Sequence, residues 1–468
     1  VNRFVDRERE LGVLRERLAR QSSLTLVWGQ RRVGKTFLLR RLLEEERDVV
    51  YFLADETTAA VSRERFRAEV AAQGMGGPAW DSLEAGDWGA MLAVLLQACQ
   101  VEGRGLVLVL DELQYLLAAE PALPSILQRL WDTFRDRLRL HVVLCGSALG
   151  VMGRLGDVGQ PLHGRFDLRL KVQPFGFRKA GEFASQWPLV DRLRLYGVFG
   201  GLPRHLAEVD PERSLGDNAT AALLDPFGSL HEAASDQLRA ERLSSRAEAN
   251  AVLAAVAAGE GAFGAIAARC GITAPRLDYV LRELLSLELV RREVRFGDRE
   301  GSRYVRWRPT DPFLTFWFRH VLPNRGALQG SSAERIWAER VAPRLDDHMG
   351  PVFEEVVRQA VVGGCLGAEV GPVDEAASWW SRDGETQVDL VARAGDRRVF
   401  VEAKWAGSSR ADVGALRQLE DHLRRYPRPH EVSRGLLCVA SAGGFTDRLE
   451  QAAEAQGVFL LGPGRLTG

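Results

Sequence analysis

The chain has 468 residues and nearly balanced charge, 62 basic against 63 acidic side chains, so it has room for about three ordinary domains and lacks the global basic field that marks a dedicated nucleic-acid binder. Its five cysteines, at 99, 145, 270, 365 and 438, stand far apart without a C-x-x-C pair, which argues against a disulfide framework and against zinc held on cysteine pairs. The longest apolar runs are strand-sized and the stretch VNRFVDRERE carries no apolar segment, so the expectation is a soluble, cytoplasmic protein without a membrane span or export signal.

In chain order, residues 2 to 20 place Leu11, Leu14 and Leu18 at helical spacing among charged residues, which predicts an amphipathic helix. Strands are predicted over Leu24 to Trp28, Val49 to Leu53, Leu106 to Leu110, His141 to Cys145 and Leu168 to Val172, with helical stretches between them. That alternation predicts a parallel sheet covered by helices. The first strand runs into Gly29-Gln30-Arg31-Arg32-Val33-Gly34-Lys35-Thr36, a full match to G-x-x-x-x-G-K-[ST], and then into the helical TFLLRRLL. Glycines at these positions let backbone N–H groups face a phosphate at a helix N-terminus. Lys35 is placed to reach the β- and γ-phosphates, and the Thr36 hydroxyl to complete a Mg²⁺ shell.

The buried strand GLVLVLDELQYL ends in Asp111-Glu112, an acidic pair at the strand end where open α/β sheets bind ligands. Asp111 is placed to hold Mg²⁺ and Glu112 to polarise an attacking water, which argues for hydrolysis rather than binding alone. The next strand, HVVLCGSA, ends in Ser147, a γ-phosphate sensor candidate. Arg165 in HGRFDLRL and Arg204 in GGLPRHL are candidates for stabilising transition-state charge, or ordinary surface arginines.

FVDRERELGVL, GQRRVGKT, VLVLDELQYL, VLCGSA, the Gly-Arg before LRLKVQPF and GGLPRHL, in that order, resemble the archaeal-type AAA+ ATPases among the STAND-like NTPases, over roughly residues 2 to 235. The resemblance implies an adenine nucleotide, Asp111 and Glu112 as a Walker B pair, Ser147 as sensor 1, the GGxP stretch in a lid, Arg204 as sensor 2 and Arg165 as a finger toward a neighbouring subunit. Oligomerisation follows if Arg165 acts that way, although a monomeric switch suits the same residues.

Beyond Ala247, three helical stretches and the two strands LVRREVRF and SRYVRWRP follow the order of a winged helix. Arg276 and Arg282 are recognition-helix candidates, and Arg291, Arg292, Arg295 and Arg299 lie on or near the wing. The module is either a DNA reader or a lid packed on the ATPase core.

Only four lysines, at 35, 171, 179 and 404, stand beside 58 arginines. A retained lysine then marks a place suited to a compact ammonium. Lys404 ends ETQVDLVARAGDRRVFVEAKW, read as a hairpin turning at Gly395-Asp396 with residues paired where their numbers sum to 791. Asp389 then opposes Glu402 and Gln387 opposes Lys404, all on one face. Facing carboxylates need a cation or proton between them, and their hard oxygens suit Mg²⁺ or Mn²⁺. The alternative is a polar hairpin face with an Asp389–Lys404 ion pair.

VDLVA, a short turn and VFVEAKW resemble the PD-(D/E)xK nuclease fold. FEEVVRQAV resembles its first-helix acid, Glu354 or Glu355 with Glu354 favoured, and Gln418 in LRQLEDHL its following helix; Gln387 stands where a glutamate is usual. The resemblance implies metal ligands at Glu354, Asp389 and Glu402, with Lys404 beside them. The expected fold class is α/β: a P-loop ATPase core over residues 1–180, a helical lid over 181–235, a winged helix over 236–308, a connector over 309–350 and a nuclease-like α/β domain over 351–468. The expected function is an ATP-hydrolysing switch controlling a nuclease-like domain that acts on DNA. A regulatory ATPase with a catalytically silent scaffold is the alternative.

Overall fold

The five apolar runs predicted as strands form one parallel sheet in the computed structural model, which describes residues 7–81, 86–241, 243–368, 370–407 and 409–467. Helix α1 (Glu8–Leu18) buries Leu11, Leu14 and Leu18. It leads into β1 (Ser22–Trp28), then α2 (Lys35–Leu43), β2 (Val49–Leu53), β3 (Leu106–Asp111), β4 (Leu140–Gly146) and β5 (Leu168–Lys171). The sheet order is β2-β3-β4-β1-β5, with every pair parallel. Strands β3 and β4 are buried end to end, so they read as continuous leucine and valine runs rather than alternating ones. Because β3, β4 and β1 are neighbours, the segments leaving their carboxyl ends share one edge of the sheet. That edge is where open α/β sheets hold ligands.

The chain divides into two compact units, Val1–Pro174 and Phe175–Gly468. The seam precedes the predicted core boundary at 180 because Phe175 already belongs to the second unit: its N–H donates to the Gly201 carbonyl at 2.8 Å and its ring packs on Phe183.

Within the second unit, α3 (Leu189–Phe199) is followed by α4 (Arg246–Ala257), α5 (Phe263–Cys270) and α6 (Ala274–Ser286), then by β6 (Val290–Val294) and β7 (Val305–Pro309). The two strands pair antiparallel as a ribbon. Helix α6 buries Leu277, Val280, Leu281 and Leu284, the i, i+3, i+4, i+7 stripe of an amphipathic helix. The first part of the segment predicted as a connector is core, with Phe313, Phe316 and Trp317 fully buried.

Helix α7 (Leu345–Val362) then precedes β8 (Glu375–Trp380), β9 (Gln387–Ala394), β10 (Arg397–Lys404), α8 (Val413–Arg424), β11 (Leu436–Ser441) and β12 (Phe459–Leu461). These strands form a mixed sheet, β12-β11-β10-β9-β8, antiparallel from β8 to β10 and parallel from β10 to β12. The β9–β10 register runs from Arg397 opposite Ala394 to Val401 opposite Leu390, which is the predicted sum of 791, and Gly395 takes the positive φ of 57° in the turn. Helix α7 lies against α3 at close range: a Cβ on Gly197 would come within 2.4 Å of the Met349 sulfur. His348 Nε2 lies 2.9 Å from the Gly197 carbonyl, and Gln359 donates to the Tyr196 hydroxyl at 3.0 Å.

Candidate functional sites

At the first site the backbone sets the geometry. Strand β1 feeds the loop 29–34, and Gly34, with φ 95°, makes the left-handed step that opens α2. Lys35 is buried, and its ammonium donates to the Gly29 and Gln30 carbonyls at 2.9 and 3.0 Å. Burial holds its pKa below the usual lysine value. Thr36 Oγ1 donates to Asp111 Oδ2 at 2.9 Å. Two neutral or cationic donors and one acid therefore meet at the edge shared by β1 and β3.

Asp111 is fully buried, and the oxygen that accepts from Thr36 also accepts from the Tyr51 hydroxyl at 2.5 Å. Glu112 has φ 53°, a left-handed conformation that costs a non-glycine residue about 1–2 kcal/mol. The strained turn aims Glu112 Oε2 at Ser147, whose hydroxyl donates to it at 2.7 Å. Gln114 bridges the same pair, donating to Glu112 and exchanging bonds with Ser147 at 3.1 and 3.2 Å. Arg31 reaches the Tyr115 hydroxyl at 3.0 Å. Arg7 ties the loop down, donating to the Val33 carbonyl at 3.0 Å and the Gln173 carbonyl at 2.9 Å.

The structure thus brings Lys35, Thr36, Asp111, Glu112 and Ser147 together. Arg165 is engaged elsewhere in the first unit, in a two-point pair with Asp132 at 2.7 and 2.9 Å. Arg204 belongs to the second unit and pairs with Glu208. For a divalent ion, the adjacent Thr36 hydroxyl and Asp111 carboxylate are a fitting hard-oxygen pair. Arg7, Tyr51 and Gln114 escape the sequence reading. Only Gln114 leaves a local trace, two residues beyond Glu112; Tyr51 meets Asp111 because β2 lies beside β3.

The second site gathers acids from a helix and a hairpin. Asp389 on β9 accepts from the Ala403 backbone N–H at 2.9 Å and from Gln387 at 3.4 Å. Glu402 on β10 is 1 % exposed. Its Oε1 lies 2.8 Å from Lys404 Nζ, and its Oε2 has no hydrogen-bond partner, with His422 Nδ1 3.6 Å away. Lys404 also donates to Gln418 at 2.9 Å. Gln418 and His422 stand one turn apart on α8, so an i, i+4 reading from Gln418 would have found His422.

Burial, reinforced by the charge of Asp389, pushes both Glu402 and Glu354 up to about 7. Burial raises Asp389 as well. The neighbouring Glu355 differs: burial opposes its ionisation, but Arg358 and Arg291 hold it ionised and bring it down to about 2, with Arg291 at 2.8 Å and Arg358 at 2.5 Å.

A cavity of about 100 Å³ is lined by Glu354, Asp389 and Arg308. Arg308, delivered by β7, lies 3.1 Å from Glu293 and 3.9 Å from Glu354. Among the described residues, no three His, Cys, Asp or Glu side chains converge to hold a metal ion, so Glu354, Asp389 and Glu402 do not form a metal cage in this arrangement. Arg308 is the cation nearest Glu354 there.

Among the described residues no helix is long and apolar enough to cross a membrane. Residues 4–209 match an ATPase domain found predominantly in Archaea, and residues 317–416 match a family of archaeal and bacterial proteins of unknown function. An uncharacterized protein of Methanocaldococcus jannaschii is 26% identical over 422 residues, 88% of this chain and 89% of that protein. Among solved structures, a Walker-type ATPase of Pyrococcus abyssi is 20% identical and aligns over 68% of this chain and 96% of its own with a TM-score of 0.49. The Aeropyrum pernix ORC2 protein, in its ADPNP–ADP complexes, is 15% identical over 70% and 97% of the two chains with a TM-score of 0.47. The stretch that matches the archaeal ATPase domain thus continues past Pro174 to residue 209, and the stretch that matches the unknown-function family lies wholly in the second unit.

Proposed function

We propose that the protein is an ATP-hydrolysing switch whose nucleotide state controls the C-terminal carboxylate site, a nuclease-like centre acting on DNA. Bound ATP places its phosphates on the loop 29–36, where Lys35 exchanges its carbonyl partners for phosphate oxygens. Thr36 and Asp111 would hold Mg²⁺, which supplies charge neutralisation at the β- and γ-phosphates. Glu112 orients and polarises the attacking water. Ser147, bonded to the same carboxylate, couples that orientation to the state of the γ-phosphate.

The observation that carries the control is the packing of α7. Its first half is locked to α3 through His348 and Met349, and its second half presents Glu354 to the cavity shared with Asp389. Helix α3 lies in the stretch between Pro174 and residue 209 that the ATPase domain match includes. A change transmitted to α3 therefore moves the helix that carries Glu354. Arg308 stands 3.9 Å from that acid, a cation that a bound metal would have to displace.

A cleavage assay on the full chain tests this reading. With Mg²⁺ or Mn²⁺, DNA cutting is expected to depend on Asp389 and to differ between ATP-bound and nucleotide-free protein. No cutting in any nucleotide state, or equal cutting by Asp389→Ala, removes the nuclease half. The second reading, a silent scaffold, is favoured by the absence of three converging acids among the described residues. It requires that Mn²⁺ uptake show no dependence on Asp389 in any state.

A further inference from the structure

The arginines of α6, where a winged helix would read duplex DNA, are already engaged. Arg276 lies 2.5 Å from Glu248, and Arg282 lies 2.7 Å from Asp278. The free cations lie elsewhere. A groove of about 610 Å³ runs between the β6–β7 ribbon and the β8–β9 turn, lined by Arg292, Arg303, Tyr304, Arg306, Trp380 and Arg382. Its volume falls in the range of about 300–1,000 Å³ typical of ligand sites. Arg303 and Arg382 are exposed, and among the described residues neither has an acidic partner. Arg292 is held by the carbonyls of Glu300 and Ser302, which fix the guanidinium without cancelling its charge. Asp383 is the one acid in the lining.

Aromatic rings are interleaved with these charges. The Arg306 guanidinium lies 4.4 Å from the Trp380 ring centroid, and Tyr304 is approached by Arg295 at 4.3 Å and Arg303 at 5.5 Å. Arg306 also donates to Gln387, whose amide donates to Asp389 at 3.4 Å. The inner end of the groove is thus linked to the carboxylate site by two hydrogen bonds through one side chain, Gln387.

We infer that this groove binds a single strand of nucleic acid, with phosphates on Arg303, Arg382 and Arg292 and bases against the half-buried rings of Phe263, Tyr304 and Trp307 that also line it. Arginines suit the polyanionic backbone, and ring faces suit unpaired bases without sequence preference. An acidic peptide would use the cations but leave the half-buried Phe263 and Trp307 rings of the lining unused. The direction of the strand, toward Asp389, rests on the nuclease-like reading; the affinity does not.

The test is fluorescence anisotropy of a labelled 20-mer oligothymidylate with the full chain in EDTA, so that binding is read without cleavage. Arg303→Glu/Arg382→Glu is expected to weaken binding about tenfold or more and to reduce the salt slope by about 1.4, near 0.7 per lost phosphate contact on a single strand. Arg303→Gln/Arg382→Gln should fall between the two, with unchanged thermal unfolding showing that both variants fold. Arg276→Glu/Arg282→Glu should bind as the wild type does. Equal binding by the groove variants, no binding by the wild type, loss confined to the α6 variant, or a preference for a duplex of the same length overturns the inference. Groove-dependent binding without cutting in Mg²⁺ or Mn²⁺ supports it while removing the nuclease reading.

Discussion

The two carboxylate-bearing sites solve the same problem, holding acids at a sheet edge, in opposite ways. In the first unit Asp111 accepts from Thr36 and Tyr51, and Glu112 from Ser147 and Gln114. Every acid is matched by neutral donors that need not move. In the second unit Glu354 and Glu402 are pushed up to about 7 by burial and by Asp389, and one Glu402 oxygen is left without a partner. A site whose donors are already arranged works on arrival of its ligand. One whose acids repel is stable only while a proton, an internal cation or a metal relieves it. The first site is built as an engine, and the second as something held back.

The largest effect that would break this contrast is at Lys35. Lys35→Ala removes a positioned cation from the phosphate site, and an ATP hydrolysis rate lower by about 10²–10³-fold is expected. A steady-state phosphate-release assay decides it. A rate within a few-fold of wild type would mean that the loop 29–36 does not serve hydrolysis.

Next comes Glu402. The unfolded chain ionises this group near 4.5, while the folded chain keeps its proton up to about 7. Between those values the folded state binds the extra proton, so stability falls as pH rises from about 4.5 to 7 and levels beyond. Glu402→Gln cannot ionise and escapes that decline. Relative to wild type it should gain up to about 3 kcal/mol between pH 4.5 and pH 8, at about 1.4 kcal/mol per unit. Urea unfolding of the full chain across that range measures it, and parallel pH curves for the two proteins would refute it.

How much of this was legible follows the distance over which each feature is encoded. The five strands of the first sheet could be read because buried parallel strands are unbroken apolar runs, and the loop 29–36 because its chemistry is contiguous. The β9–β10 register followed from one glycine and simple alternation, since a one-residue slip would turn Val399 and Val401 outward. Tyr51, Arg7 and Arg308 were not legible. Each acts on a partner far along the chain, and which strands become neighbours is settled by packing. The same cause hides the seam at Pro174: Phe175 looks like any apolar residue until the Gly201 carbonyl is found opposite it.

Arg308 sharpens the comparison further. Its guanidinium, 3.9 Å from Glu354, stands beside the acid itself, whereas the buried cation of the first site, Lys35, is bonded to backbone carbonyls. Arg308→Ala should raise Asp389-dependent Mn²⁺ affinity about tenfold, near 1.4 kcal/mol, a modest part of the roughly 4 kcal/mol between unit charges at this separation in an effective dielectric of 20. Calorimetric titration of the single variant and of Arg308→Ala/Asp389→Ala separates the site from adventitious binding. Unchanged Mn²⁺ affinity would show that Arg308 is only a structural partner of Glu293.

The smallest effect probes the opposite side of the contrast, the donors that make the first site rigid. The Tyr51 hydroxyl shares Asp111 Oδ2 with Thr36, yet it lies on β2 and touches no residue of the loop 29–34 through that bond. If its role is to hold the carboxylate in place, Tyr51→Phe leaves Asp111 present and buried but less firmly aimed. A lost hydrogen bond to a charged group costs about 1.5–3 kcal/mol at most, and part of it is recovered when Thr36 and the Glu112 N–H, 2.9 Å from Asp111 Oδ1, keep their bonds. The expected result is a rise of about two- to fivefold in the Mg²⁺ concentration giving half-maximal hydrolysis, with nucleotide binding in EDTA unchanged. Outer donors of metal-binding carboxylates act in this way, on affinity for the ion rather than for the nucleotide. Loss of EDTA-resistant nucleotide binding would instead make Tyr51 a support for the whole loop, and the rigidity of the first site would then depend on β2 as much as on the motif.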